Sequence, residues 1–320
     1  MEHSGGPLQI QEFISKYKNF AILGHEEPDG DCLSSQLVLA SYLNRHGKEA
    51  RCYSPGPFLR PEIADIEDSF STGELDSPEA VFVLDCSTLD RIGRYQNEID
   101  DLPTAVIDHH AAGVPFGDAR YIDPEAPSVT FLIYKLMEFT GENPSKKEAE
   151  LLFFGLCTDT GFFRHLNSGT EEVFAAAAGL VAAGASPKDS FSKMFGNRSF
   201  KSRKLLAKLL ERTERRCGGR VLVSWESVDE LDEFGKLHRD SDALYQLLQT
   251  VQGSDIVVLV RQEDENSCSV GLRSTGAVDV GKIAKEFGGG GHHGASGYDR
   301  AGNVTEIVEE ITGYLEDALQ

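Results

Sequence analysis

The chain has 320 residues, 40% of them hydrophobic and 26% charged, which suits two ordinary globular domains and excludes a small disulfide-stapled scaffold. A net charge of −21 and a pI near 4.8 exclude a broad basic surface for long duplex nucleic acid. The longest apolar stretch, 173–183, falls short of the roughly 18 residues that a membrane span requires, and the start MEHSGGPLQIQEF carries no secretory pattern, so a cytoplasmic protein is expected. Its six Cys lack C-x-x-C spacing and read as reduced, buried thiols.

In chain order, Asn19–Gly24 (NFAILG) predicts a strand, Asp31–His46 a helix closed by Gly47, and Glu49–Tyr53 a second strand. Ala80–Leu84 (AVFVL) and Thr104–Ile107 (TAVI) are short Val/Ile-rich runs of the kind buried on both faces of a parallel sheet. Amphipathic helices follow over 128–140, 147–158 and 171–183. A basic helix follows over 199–216, and the segment 198–216 holds eight Lys/Arg against two acids, a local charge of +6 that could funnel a short anion. Beyond it come a strand at 220–224, a helix at 241–251, strands at 256–261 and 268–273 that form a candidate hairpin, a helix at 280–287, a Gly-rich loop and a final helix from Thr305. The expected fold class is α/β. An N-terminal domain, 1–190, has a parallel sheet with helices on both faces, a connector carrying the basic helix spans 191–219, and a smaller C-terminal α/β domain occupies 220–320.

Four element ends carry residues with chemistry. His25-Glu-Glu-Pro-Asp29-Gly-Asp31 sits where a strand gives way to a helix, Asp85 directly follows a strand, Asp108-His109-His110 follows another, and Thr158-Asp159-Thr160 closes a helix. Each has a bland reading by itself: Asp31 as a helix cap, Pro28-Asp29-Gly30 as a turn, Asp85 as a cap, Asp159 as a helix-end polar residue. Together they bring His25, His109 and five Asp, with His110 alongside, to the carboxyl ends of an open α/β sheet, where ligands bind. So many carboxylates repel one another unless cations hold them, and imidazole with carboxylate suits Mn²⁺, Zn²⁺, Fe²⁺ or Co²⁺. The number of donors implies two metals, and two metals imply phosphoester hydrolysis.

The H-x-x-x-D-x-D, single Asp, D-H-H and T-D-T elements, in this order over residues 19–165, resemble the DHH superfamily of phosphoesterases. The resemblance implies that His25, Asp29 and Asp85 hold one Mn²⁺, and that Asp31, Asp85, His109 and Asp159 hold the other, with Asp85 bridging. It further implies that Asp108 orients the His109 ring and that His110 faces the phosphoryl group as donor or general acid. The Cys32, Cys86 and Cys157 thiols lie within two residues of these ligands, but side chains adjacent in sequence usually turn apart, so they are read as packing residues. Ser128 and Thr130 are read as helix caps and Phe162 and Phe163 as core.

In the C-terminal half, the strand end Gly271-Leu-Arg273-Ser274 followed by Phe287-Gly-Gly-Gly-Gly-His292 resembles the DHHA1 domain that accompanies many DHH proteins. Successive Gly residues can turn several backbone amides to one anion. The resemblance implies that Arg273, Ser274, Gly289, Gly290, Gly291 and His292 grip a terminal phosphate across a cleft between the domains, with Arg164 a further candidate. Family II pyrophosphatases lack such a loop, long single-strand exonucleases are larger, and transmembrane cyclic-dinucleotide enzymes carry added segments. The chain therefore resembles the compact nanoRNase/pAp phosphatase family. The expected activity is two-metal, Mn²⁺-dependent hydrolysis of short oligoribonucleotides to 5′-mononucleotides and of 3′-phosphoadenosine 5′-phosphate (pAp) to AMP. Rival readings are a cyclic or linear dinucleotide phosphodiesterase, a nucleotide-binding module without catalysis, and a metal-storage or structural metal site. A homodimer is left open.

Overall fold

The computed structural model describes residues 4–110, 113–114, 116–276 and 278–319, and the chain divides into two compact units, Met1–Gly196 and Asn197–Gln320.

The first unit runs β1 (Ser4–Gly5), α1 (Pro7–Lys16), β2 (Asn19–Leu23), α2 (Gly30–Arg45), β3 (Glu49–Tyr53), β4 (Ala80–Leu84), β5 (Thr104–Asp108), β6 (Ala119–Ile122), α3 (Val129–Phe139), α4 (Lys146–Asp159), α5 (Glu171–Ala182) and α6 (Pro187–Phe195). Its sheet has the order β1-β6-β5-β4-β2-β3, parallel throughout except for the short β1 on the edge. β4 and β5 are buried at every residue, as their unbroken apolar runs require. On one face, side chains such as Phe20, Ile22, Phe82, Leu84 and Ile107 pack with α1 to α4. The other face, with Leu23, Val81, Val83 and Val106, is covered by the 3-10 run Leu89–Glu98 through Ile92 and Tyr95. Asp29 caps α2, Ser128 caps α3 by accepting from the Phe131 amide, and Ser145 with Glu148 forms a reciprocal cap on α4. The chain leaves β2 toward β3 on one side and returns as β4 on the other. The strand order thus reverses between β2 and β4, which opens a crevice at their carboxyl ends.

The second unit contains α7 (Phe200–Glu211), β7 (Glu214–Arg216), β8 (Val221–Glu226), α8 (Val228–Phe234), α9 (Ser241–Leu248), β9 (Ile256–Asp264), β10 (Ser267–Ser274), α10 (Val280–Glu286), β11 (Gly290–His292), β12 (Ala295–Ala301) and α11 (Val304–Ala318). Its sheet, β11-β12-β10-β9-β8-β7, is antiparallel except between β8 and β9.

The basic helix expected within the connector is built into this unit, which begins at Asn197. Leu205 and Leu209 of α7 are buried against Leu222, Leu244 and Leu259, and the helix stops at Glu211 because 214–216 pairs with β8 as an edge strand. Several of the basic residues that could draw an anion to this segment are engaged by acids. Arg203 pairs with Asp240, Lys208 with Glu233, Arg212 with Glu230, and Arg216 with Glu214 and Glu309. α1, β6, α6, α8 and the β11–β12 hairpin have no counterpart in the sequence reading. Each is short, polar or glycine-rich, so its periodicity is weak until packing selects a face.

Candidate metal centre

The β2 and β4 ends flank the crevice, and the β5 end adjoins them. His25 follows β2, is 6% exposed, and its Nδ1 is fixed 2.7 Å from the Glu26 carbonyl, which leaves Nε2 to face Asp85 Oδ2 at 3.4 Å. Asp85 stands in the left-handed region (φ +60), a conformation Asp tolerates better than most residues and one that turns the side chain off the strand line into the crevice. Its other oxygen lies 3.6 Å from His109 Nε2 and 3.7 Å from His110 Nδ1. Asp85 thus sits between the β2 side and the β5 side of the cluster.

His109 Nε2 also lies 3.1 Å from Asp159 Oδ2, at the last residue of α4. Asp31 is fully buried in the first turn of α2, and its carboxylate accepts from the amides of Val129 (2.6 Å) and Thr130 (2.9 Å) and from the Thr130 hydroxyl (2.5 Å). It therefore sits against the positive end of α3. Three groupings place their donor atoms mutually within 4.8 Å: Asp31, His109 and Asp159; Asp85, His109 and His110; and His25, Cys32 and Asp85. Asp29 lines the same cavity, but its Oδ1 is occupied by the Asp31 and Cys32 amides, and it joins none of these groupings.

Two expectations change here. Asp108 does not orient His109. Its Oδ1 accepts from His110 Nδ1 at 2.7 Å and from the amides of His109 and His110, while the Ala126 carbonyl, 3.2 Å away, holds His109 Nδ1. And Cys32, read as packing, points into the cluster.

The electrostatics call for positive charge. Burial opposes ionisation of Asp159, and with the Asp85 and Asp29 carboxylates nearby its pKa rises to about 6 despite contact with His109. Burial likewise lifts Asp31 well above the usual range, with the Asp159 and Asp85 carboxylates adding to it. Burial resists charging His25 and His109, yet Cys32 and Asp85 beside His25, and Asp159 and Asp85 beside His109, push both to about 12. Without a metal, the raised values of the two rings and of Asp31 and Asp159 mean that the cluster holds on to protons. A divalent cation satisfies the same donors without them, so the residues present fit such an ion.

The cavity, about 490 Å³, is also lined by Arg60 and Arg91, both exposed, which sequence reading missed. A basic residue six positions after Asp85 was the available signal for Arg91. Arg164, a sequence candidate, instead donates to its own Gly161 carbonyl and is not among the cavity's lining.

In the second unit, the Arg273 guanidinium lies over the Tyr245 ring at 4.3 Å and 3.9 Å from Asp242. The Ser274 hydroxyl accepts from the Gly276 and Val278 amides, a turn-forming role. The glycine loop is a hairpin, with Gly290 opposite Gly297, Gly291 opposite Ser296 and His292 opposite Ala295. A Cβ at Gly289 would lie 2.3 Å from the Gly297 carbonyl, and one at Gly291 2.5 Å from Ser296 Cα, so glycine is needed there for strand approach. The Gly288 and Gly289 amides are engaged at the end of α10, which leaves fewer than four to meet an anion.

Two family descriptions match: the DHH family, N-terminal domain, over residues 19–156, and the DHHA1 domain over 221–317. A bifunctional oligoribonuclease and PAP phosphatase NrnA of Thermus thermophilus is 30% identical over 92% of this chain and 91% of its own length. A cyclic-di-AMP phosphodiesterase GdpP of Bacillus subtilis is 25% identical over 96% of this chain and 49% of its own length. Among solved structures, an exopolyphosphatase-related protein from Bacteroides fragilis superposes with a TM-score of 0.88 at 23% identity, over 97% of this chain and 95% of the other.

Proposed function

The chain belongs to the DHH/DHHA1 superfamily of phosphoesterases, and from that premise we propose that it hydrolyses short oligoribonucleotides to 5′-mononucleotides and removes the 3′-phosphate of pAp. The observation that carries this reading is the convergence of His25, Asp85, His109 and Asp159 from three strand ends and one helix end, with Asp85 between two halves of one cluster. His25, Asp29 and Asp85 would hold one divalent cation, and Asp31, Asp85, His109 and Asp159 the other, manganese suiting the mixed carboxylate and imidazole donors. Bound there, the cations supply Lewis acidity toward the phosphoryl oxygens and a water acidic enough to attack at neutral pH.

The remaining work falls to side chains. The hydrogen bond that His110 donates to Asp108 raises the His110 pKa and, because a carboxylate only accepts, keeps a proton on Nδ1. His110 Nε2 is then available to give a proton to the departing oxygen. Arg60 and Arg91 offer positive charge to the phosphate that reacts. Arg273, stacked on Tyr245, offers the planar fork for a second phosphate. His292 and the amides of Gly290 and Gly291 would add to that grip, whereas Ser274 would act by shaping the turn after Arg273. Short substrates suit a chain too acidic to hold long polyanions. Free, mostly buried cysteines fit a reducing, cytoplasmic setting.

The similarity to a cyclic-di-AMP phosphodiesterase supports a second reading, in which the same centre opens cyclic or linear dinucleotides. Rates on a 5′-labelled diribonucleotide, pAp and cyclic di-AMP with Mn²⁺, beside Asp85→Ala, decide between them. Mononucleotide release or conversion of pAp to AMP, lost in the variant, supports the first reading. Turnover of cyclic di-AMP alone supports the second. Binding without turnover of any of the three refutes both.

A further inference from the structure

We propose that Cys32 is a metal ligand, and that its sulfur, a ring nitrogen of His25 and an Asp85 carboxylate oxygen form a thiolate-bearing position for a thiophilic divalent cation of the zinc type. The inference rests on the two-metal reading above and assigns one half of that centre a different chemistry from the other.

The geometry begins with the first turn of α2. Neighbouring helical residues point about 100° apart, so Asp31 and Cys32 cannot serve the same neighbour. Asp31 turns to the amides of α3 and to the grouping with His109 and Asp159. Cys32 turns the other way, toward the end of β2, where its donor atom and those of His25 and Asp85 all lie within 4.8 Å of one another. All three residues are buried, Cys32 completely.

The surroundings make room for the sulfur. A Cβ on Gly24 would stand 2.2 Å from Sγ and 2.4 Å from the end of the Gln36 amide, so the residue before His25 has no side chain where the thiol and its amide neighbour sit. Gly24 has no positive φ that would require glycine for its own sake. Beside the sulfur, Gln36 turns its amide nitrogen to the carbonyls of Ile22 and Tyr53, 3.0 Å from each, and so directs its oxygen toward Sγ at about 3.5 Å. That oxygen is the acceptor a protonated thiol needs. A cation entering the cluster takes the place of the S–H proton, which leaves to water as the sulfur–metal bond forms, and no electrons change hands.

Donor softness then separates the two halves. Sulfur with nitrogen and one carboxylate oxygen is the ligand type of zinc sites, whereas Asp31, His109 and Asp159 offer only nitrogen and oxygen, a set that manganese accepts. The structure therefore implies a centre that takes different ions in its two halves when zinc and manganese are both present.

Cobalt(II) reads this directly, because thiolate ligation adds an intense sulfur-to-cobalt charge-transfer absorption in the near ultraviolet. The full chain, stripped with a chelator, is titrated with Co²⁺ as wild type, Cys32→Ser and Cys32→Ala, and bound zinc and manganese are measured after equilibration with both. The expected result is the charge-transfer band in wild type and its loss in both variants. Zinc affinity should weaken by about 10- to 100-fold or more in the variants while bound manganese is retained. Cobalt bound to wild type without the band overturns the proposal, as does a band that survives in both variants, an unchanged zinc affinity, or no cobalt binding at all. These readouts do not involve turnover, so an enzyme inactive on every phosphoester but showing the band would sink the proposed activity and leave the ligand assignment standing.

Discussion

Replacing Thr130 with Val tests whether Asp31 is a positioned ligand or only a helix anchor. The swap keeps the side chain's shape and removes one hydroxyl, at a position 1% exposed where water cannot take its place. That hydroxyl donates to Asp31 Oδ1 at 2.5 Å and shares a 2.9 Å hydrogen bond with Ser128. A hydrogen bond to a charged group contributes about 1.5–3 kcal/mol and a neutral one about 0.5–1.5. The two backbone amides at 2.6 and 2.9 Å stay with Asp31, so the carboxylate is loosened rather than stranded. The net loss should be about 2 kcal/mol, which lowers the melting temperature by about 4–8 °C for a unit of this size. Removing a group that orients a ligand also weakens metal binding by about 10- to 100-fold. Thermal unfolding in chelator reads the first effect, and Mn²⁺ titration by calorimetry the second. A variant that melts earlier yet binds Mn²⁺ with wild-type affinity would refute the role of Asp31 as a ligand.

Gly155→Ala should destabilise the first unit although alanine favours helices. The new Cβ would lie 2.4 Å from Thr130 Cγ2 and 3.1 Å from Asp31 Oδ1, and such overpacking, about 1–3 kcal/mol, outweighs a propensity gain of about 1 kcal/mol; chemical denaturation measures the balance. Arg91→Ala should raise KM by about 10- to 100-fold with a smaller change in kcat, as loss of a charge-assisted phosphate contact does, and steady-state kinetics on a diribonucleotide would show otherwise if KM stayed put. For Asp159, a folded pKa raised from 3.8 to about 6 means that the native state holds the proton more tightly than the unfolded chain. The associated stability is present in acid and lost as pH rises through about 6. Metal-free wild type should therefore lose stability relative to Asp159→Asn between pH 4 and 6, and parallel unfolding curves across that window would contradict the assignment.

Much of the centre was legible as sequence because its residues lie at element ends, where polar side chains break apolar runs. His25, Asp85, Asp108 and Asp159 each stand at such a break, and β4 and β5 announce their burial by being apolar without interruption. Other assignments needed partners far along the chain. The carboxylate of Asp31 is held by amides about a hundred residues away, and no local pattern indicates which helix end it will meet. The basic segment before β7 reads as a charged surface, and only the fold brings Glu230, Glu233 and Asp240 alongside its Arg212, Lys208 and Arg203.

The sequence by itself determined the α/β class, the parallel core strands and the kinds of side chain delivered to the crevice, because burial and hydrogen-bonding capacity are properties of residue type and spacing. Only the tertiary structure decided where those side chains point. The left-handed backbone of Asp85 aims its carboxylate between two histidines, Asp108 holds the ring of His110 rather than that of His109, and one helical step sends Asp31 to α3 and Cys32 to His25. Direction comes from dihedral angles that packing selects, and packing depends on residues that are neighbours only after the chain has folded.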